Sequence, residues 1–204
     1  MKFIMATASL LLAGPVHAMT VLNFDGDICS AAIDGSGAKI ACINGRHINQ
    51  SYGDGDGVNL SYFDKTVSST SMSFWGDSYS GMSNVAYGGV DPYIKIEGAV
   101  TLHSFDLGAW PNADRMTQVR VIDLANMFTV LNLEGITVLG STPSHFEINA
   151  SSTAGFLIGF GPDGFNVGID NIAFTAGVVP EPANWALLVA GLGLLGTLTR
   201  RRPR

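Results

Sequence analysis

The pentad Gly76-Asp77-Ser78-Tyr79-Ser80 offers a serine flanked by small and polar residues. A serine becomes a nucleophile only when a base takes its proton. Past residue 18 the histidines are His47, His103 and His145, and none has an aspartate three residues before it. The Gly-x-Ser-x-Gly turn that exposes a nucleophilic serine is also absent. Glycoside hydrolysis asks for two carboxylates about 5 to 10 Å apart. Glu97, Glu134, Glu147 and many aspartates are available, but no cluster singles out a pair. No residue is assigned a catalytic role.

Oxygen-rich residues suit a hard cation better. Asp25 and Asp27 follow the strand-like piece Thr20 to Phe24, and Asp170 sits in the last strand-like piece, Gly168-Ile169-Asp170-Asn171-Ile172. Were these two strands neighbours, their acids would meet around a calcium ion; solvated acids in turns are the competing reading. Asp54-Gly55-Asp56 is a weaker candidate and lacks the glycine and glutamate offsets of an EF-hand. A sugar site needs aromatic faces beside hydrogen-bonding groups. Trp75 and Tyr79 lie in the polar stretch 68–84, and Trp110 precedes Pro111 at a strand end or loop. These three are the candidate glycan contacts, against the alternative that they are partial core. Cys29 and Cys42 are the only cysteines and enclose the turn Asp34-Gly35-Ser36-Gly37. In an exported chain such a pair reads as a disulfide, with two free buried thiols as the alternative.

The elements that position these residues alternate with period two. Val58, Leu60 and Tyr62 do so, as do Ile94 and Ile96, Val119 and Val121, and Phe156, Ile158 and Phe160. Between such pieces lie Gly88-Gly89, Pro111-Asn112, Ser141-Thr142-Pro143 and Gly161-Pro162-Asp163-Gly164. Short strands between Gly/Pro/Asn/Asp turns predict an all-β body, a single antiparallel β-sandwich or jelly roll over residues 19–177. Charged residues make up 14 % of the chain, against about 25 % in ordinary globular proteins. Residues 19–182 keep six of the eleven Lys/Arg and all 17 Asp/Glu, which argues against a nucleic-acid partner.

Both ends read as sorting segments. Lys2, the apolar run Phe3 to Gly14 and Val16-His17-Ala18 form a secretory signal peptide over residues 1–18. At the other end, residues 178–204 hold Pro180-Glu181-Pro182, the apolar run Ala183–Thr199, and Arg200, Arg201, Arg202 and Arg204. A helix of that run spans about 25 Å, the short end of what crosses a bilayer. The arginines would stay in the cytoplasm and leave the acidic body outside.

This tripartite tail resembles the PEP-CTERM sorting signal of Gram-negative bacteria. The resemblance implies recognition of Pro-Glu-Pro by an exosortase and removal of the tail. The chain would be anchored transiently in the inner membrane and then released or attached at the cell surface, in bacteria that make exopolysaccharide and biofilm matrix. The body, from 100–110 and 159–172, looks like domains of other proteins with this tail and loosely like galactose-binding jelly rolls, in which first- and last-strand acids often share a structural calcium. Gly76–Ser80 is similar to the nucleophile block of GDS(L) esterases. That family, however, opens an α/β domain with the block and needs Asp-x-x-His near its end. The expectation is a non-catalytic glycan-binding or structural sandwich; the alternatives are a secreted polysaccharide-active hydrolase and a structural filler or adhesin without a small ligand.

Overall fold

The computed structural model describes residues 18–55, 57–65 and 69–177. The signal-peptide run, the Pro-Glu-Pro motif, the apolar span and the arginine cluster lie outside the described residues. In chain order the strands are β1 (Met19–Leu22), β2 (Cys29–Ser30), β3 (His47–Ile48), β4 (Asn59–Phe63), β5 (Ser73–Trp75), β6 (Val85–Tyr87) and β7 (Tyr93–Glu97). Then come β8 (Val100–Ala109), β9 (Arg115–Asp123), β10 (Phe128–Val138), β11 (Ser144–Ser152), β12 (Gly155–Gly161) and β13 (Val167–Ala176). There is no helix among the described residues.

The strands form two antiparallel sheets. The smaller runs β10-β9-β12-β7-β4, and the larger β11-β8-β13-β6-β5-β3-β2, with β1 also paired to β13. Alternation drives the layering, because successive side chains in a strand point to opposite faces. Leu60 and Tyr62, Ile94 and Ile96, Val119 and Val121, and Phe156, Ile158 and Phe160 all turn inward from the smaller sheet and are buried. From the larger sheet Leu102, Phe105, Leu107, Val167, Ile169, Ile172 and Phe174 meet them in one hydrophobic core. The all-β, two-sheet expectation therefore holds for the body.

β8 and β13 lose their simple alternation in mid-strand. The register between them shifts at Asp170/Ala173, and that between β11 and β8 at Glu147/Ala150. Asn171 and Asn149, with φ of 51° and 49°, are the left-handed residues at these two places. An extra residue in one strand bends it and re-aims its side chains. Here the bulge keeps Ile169 and Ile172 in the core and presents Asp170 and Asn171 on the outer face.

The first strand is next to the last, as expected: Met19 pairs with Thr175 and Leu22 with Ile172. Beyond β1, Phe24 turns the chain with a φ of 53° and buries its ring between Tyr52 and Tyr62, centroids 5.4 and 6.1 Å away. The Tyr52 hydroxyl accepts the Phe24 N–H at 2.9 Å. Cys29 and Cys42 form a disulfide, their Cα atoms 5.1 Å apart, within the ordinary range. It ties β2 to the loop that follows.

Candidate functional site

The segment 76–84, which contains the serine pentad, lies across the outer face of the larger sheet. Two glycines facing each other in register, Gly108 and Gly168, make the close approach possible. A Cβ on Gly108 would stand 2.5 Å from the Tyr79 carbonyl oxygen, and one on Gly168 would stand 3.0 Å from the Tyr79 ring. Tyr79 thus rests directly on the sheet, only 2 % exposed, and its hydroxyl donates to the Phe165 carbonyl at 2.8 Å. Burial pushes its ionisation above the usual tyrosine range.

Around Tyr79 gathers a second hydrophobic cluster with Met82, Val85 and Tyr87, flanked by Trp75 and Trp110. Trp75 meets Trp110 edge-on at 6.3 Å and Tyr87 at 6.0 Å. Phe165 meets Trp110 at 6.2 Å and Tyr87 at 5.6 Å. Trp75 and Trp110 are half-buried and Phe165 is 54 % exposed. The Trp75 indole donates to Asp77 Oδ1 at 3.2 Å. The three sequence candidates are thus brought together, but unequally. The two tryptophans form a rim, with Phe165 as a member the sequence did not suggest. Tyr79 is the layer beneath, so its ring face is not presented to solvent.

On the other flank of segment 76–84 is a polar recess of about 400 Å³ lined by Asn23, Asp25, Ser83, Asp170 and Asn171. The turn at Phe24 and the bulge at Asn171 bring Asp25 and Asp170 to it from opposite ends of the chain. Asp27 is exposed and does not line it. Asp25 accepts from the Asn23 amide at 2.6 Å and from Asn84. Asp170 is 5 % exposed, and its hydrogen bond is the Asn171 N–H on Oδ1 at 2.7 Å. Burial pushes its carboxyl up to about 7 against the lowering effect of that N–H, and the negative charges of Asp106 and Asp25 add to the rise. Asp106 is the register partner of Asp170; it accepts from the Asn171 amide at 2.9 Å and lies 2.6 Å from His145 Nδ1. These cross-strand neighbours were not visible in the sequence, because the bulges set which residues stand abreast.

Oxygen donors and a buried carboxylate are the set a hard cation takes. Two carboxylates from Asp25 and Asp170, with amide and hydroxyl oxygens from Asn23, Asn171 and Ser83, fit calcium in kind. Among the described residues no group of three His, Cys, Asp or Glu is close enough to hold a metal. The described histidines have their hydrogen bonds elsewhere than Ser78: His47 with Ser71, His103 with Thr175, His145 with Asp106. No protein-family model and no curated protein matches the chain.

Proposed function

We propose that the chain is an exported surface or matrix protein of a Gram-negative bacterium, sorted through Pro180-Glu181-Pro182 by an exosortase. Its body is a non-catalytic, jelly-roll-type module that binds glycan. One observation carries the binding reading: the Trp75–Trp110–Phe165 rim on the outer face of the larger sheet, backed by Tyr87 and Tyr79. The inner core is complete without these rings, so their clustering on the outside gives apolar surface for the C–H face of a sugar. Asp77 beside Trp75 supplies an acceptor for a hydroxyl. The Cys29–Cys42 bond supports export, since such bonds persist in oxidising compartments. Calcium between Asp25 and Asp170 would relieve their repulsion and pin the turn after β1 to the bulge in β13.

Retention of the secreted protein on polysaccharide arrays tests the module. Trp110→Ala and Trp75→Ala should each lower retention about tenfold, the effect of losing a stacking contact near 1.4 kcal/mol. Unchanged retention would dismiss the rim. Release of sugar from a labelled glycan, abolished by one carboxylate substitution, would favour a polysaccharide-active hydrolase. Absence of retention on every glycan would favour a structural filler or adhesin. For sorting, Pro180→Ala or Glu181→Ala should leave the uncut form in the inner membrane; normal release would reject recognition of that motif.

A further inference from the structure

The opposite, outer face of the smaller sheet carries a trough that the rim does not explain. Tyr93, Gly159 and Arg120 stand abreast on β7, β12 and β9. Neighbouring strands are about 4.8 Å apart, so the walls at Tyr93 and Arg120 are about 10 Å from each other. Between them, where a side chain would normally stand, Gly159 leaves a cleft of about 340 Å³, within the range of small-ligand sites. Lys65, Asp91 and Pro92 also line it.

Glycine at 159 is not demanded by the fold. A Cβ there would find its nearest neighbour at 3.8 Å, ordinary contact distance. At Gly155, by contrast, a Cβ would sit 1.8 Å from the Ile96 carbonyl oxygen. A glycine inside a strand weakens it and often marks where something must approach the backbone. The residue therefore has a cost in the folded chain and no packing reason, which leaves the open space itself as its role.

The walls state what the space accepts. Arg120 is exposed, and its guanidinium makes no hydrogen bond or ion pair with any described residue, in a body whose acids far outnumber its bases. Lys65 lies 3.6 Å from Asp91. Tyr93 is stacked on Phe63, centroids 4.7 Å apart and planes 21° from parallel, which holds its ring in place. Gln118 adds an amide that donates and accepts. β12 is paired on both sides, by β7 and β9, so the trough offers no free strand edge to an extended peptide. We propose that this trough binds a carboxylate-bearing sugar, a uronic acid unit whose ring lies against Tyr93 and whose carboxylate meets the Arg120 guanidinium. The planar fork of arginine matches a carboxylate with two parallel hydrogen bonds. The proposal shares the glycan class of the reading above but none of its residues.

The test is calorimetric titration of the secreted protein with oligogalacturonate, its methyl ester, cellohexaose and sodium sulfate. Oligogalacturonate should bind, and at least tenfold more tightly than its uncharged methyl ester, than the neutral cellohexaose and than sulfate, with affinity falling as salt rises. Arg120→Gln should lose at least tenfold. Gly159→Val should abolish binding while melting at the same or a higher temperature, because valine suits a strand and the space is open. Trp110→Ala should leave this titration unchanged, and Gly159→Val should leave retention on neutral glycans unchanged, so the two sites fail separately. Equal binding of the ester, sulfate binding as tight as oligogalacturonate, or full affinity in Gly159→Val would each overturn the proposal.

Discussion

Replacing Asp170 by Asn isolates the electrostatic tension in the polar recess. The carboxyl is raised from 3.8 to about 7, chiefly by burial and further by Asp106 and Asp25. The folded state therefore holds this proton more tightly than the unfolded chain does. The stability it contributes is fully present below pH 4 and is lost as pH rises through 7. At 1.36 kcal/mol per unit the loss would reach about 4 kcal/mol, and water in the adjoining recess screens it to about 2–4 kcal/mol. Asparagine keeps an oxygen for the Asn171 N–H and carries no charge at any of these pH values. In calcium-free buffer the two proteins should unfold at nearly the same urea concentration at pH 4. At pH 8 the variant should unfold about 1–2 M later, with a slope near 2 kcal/mol/M for a domain of this size. Adding calcium at pH 8 should then stabilise the wild type and leave the variant unmoved. Parallel stabilities of the two proteins from pH 4 to 8 would refute the account of the buried charge. No calcium effect on the wild type would refute the cation and leave that account standing.

Reduction of Cys29–Cys42, or Cys42→Ser, frees a 13-residue separation and should cost about 3 kcal/mol, read as an earlier urea midpoint. Gly108→Ala drives a methyl group to 2.5 Å from the Tyr79 carbonyl oxygen. It should cost about 1–3 kcal/mol and shift the emission of Trp75 and Trp110 to longer wavelength as segment 76–84 lifts.

Wherever a strand buries one face with strict alternation, the sequence was enough to find it. Leu60 and Tyr62, or Phe156, Ile158 and Phe160, declare their faces because no inserted residue breaks the period. In β8 the inward set passes from Leu102 to Phe105, a three-residue step, so alternation stops at Leu102 when read along the chain. The region before residue 90 was harder still. There β2, β3, β5 and β6 are only two or three residues long, and side-chain hydrogen bonds to the backbone do much of the joining. Asp25 and Asp170 could be paired in advance only through the resemblance to galactose-binding jelly rolls, whose first- and last-strand acids often share a calcium; the pairing of β1 with β13 agrees with it. Asp106, Asn171 and His145 could not, since their neighbours are set by bulges. The Gly159 trough carried no local mark at all: one strand glycine among 25 glycines looks like any other until the space above it is visible.

The free margin of β4 bears on how the molecule behaves among its own kind. Gln50 reaches over and makes both bonds that a further strand would make to Tyr62, giving its amide to the carbonyl at 2.7 Å and receiving the N–H at 2.9 Å. Asp54 takes the Leu60 N–H in the same way at 2.7 Å. That border of the smaller layer is thus covered by its own side chains, whereas β10 on the far side has no partner strand on its outer row among the described residues. Ribbons grow only when each unit can be joined on two sides. Among the described residues, copies meeting edge to edge through this layer have one usable side each, so that encounter closes on a couple and does not by itself extend into a fibre.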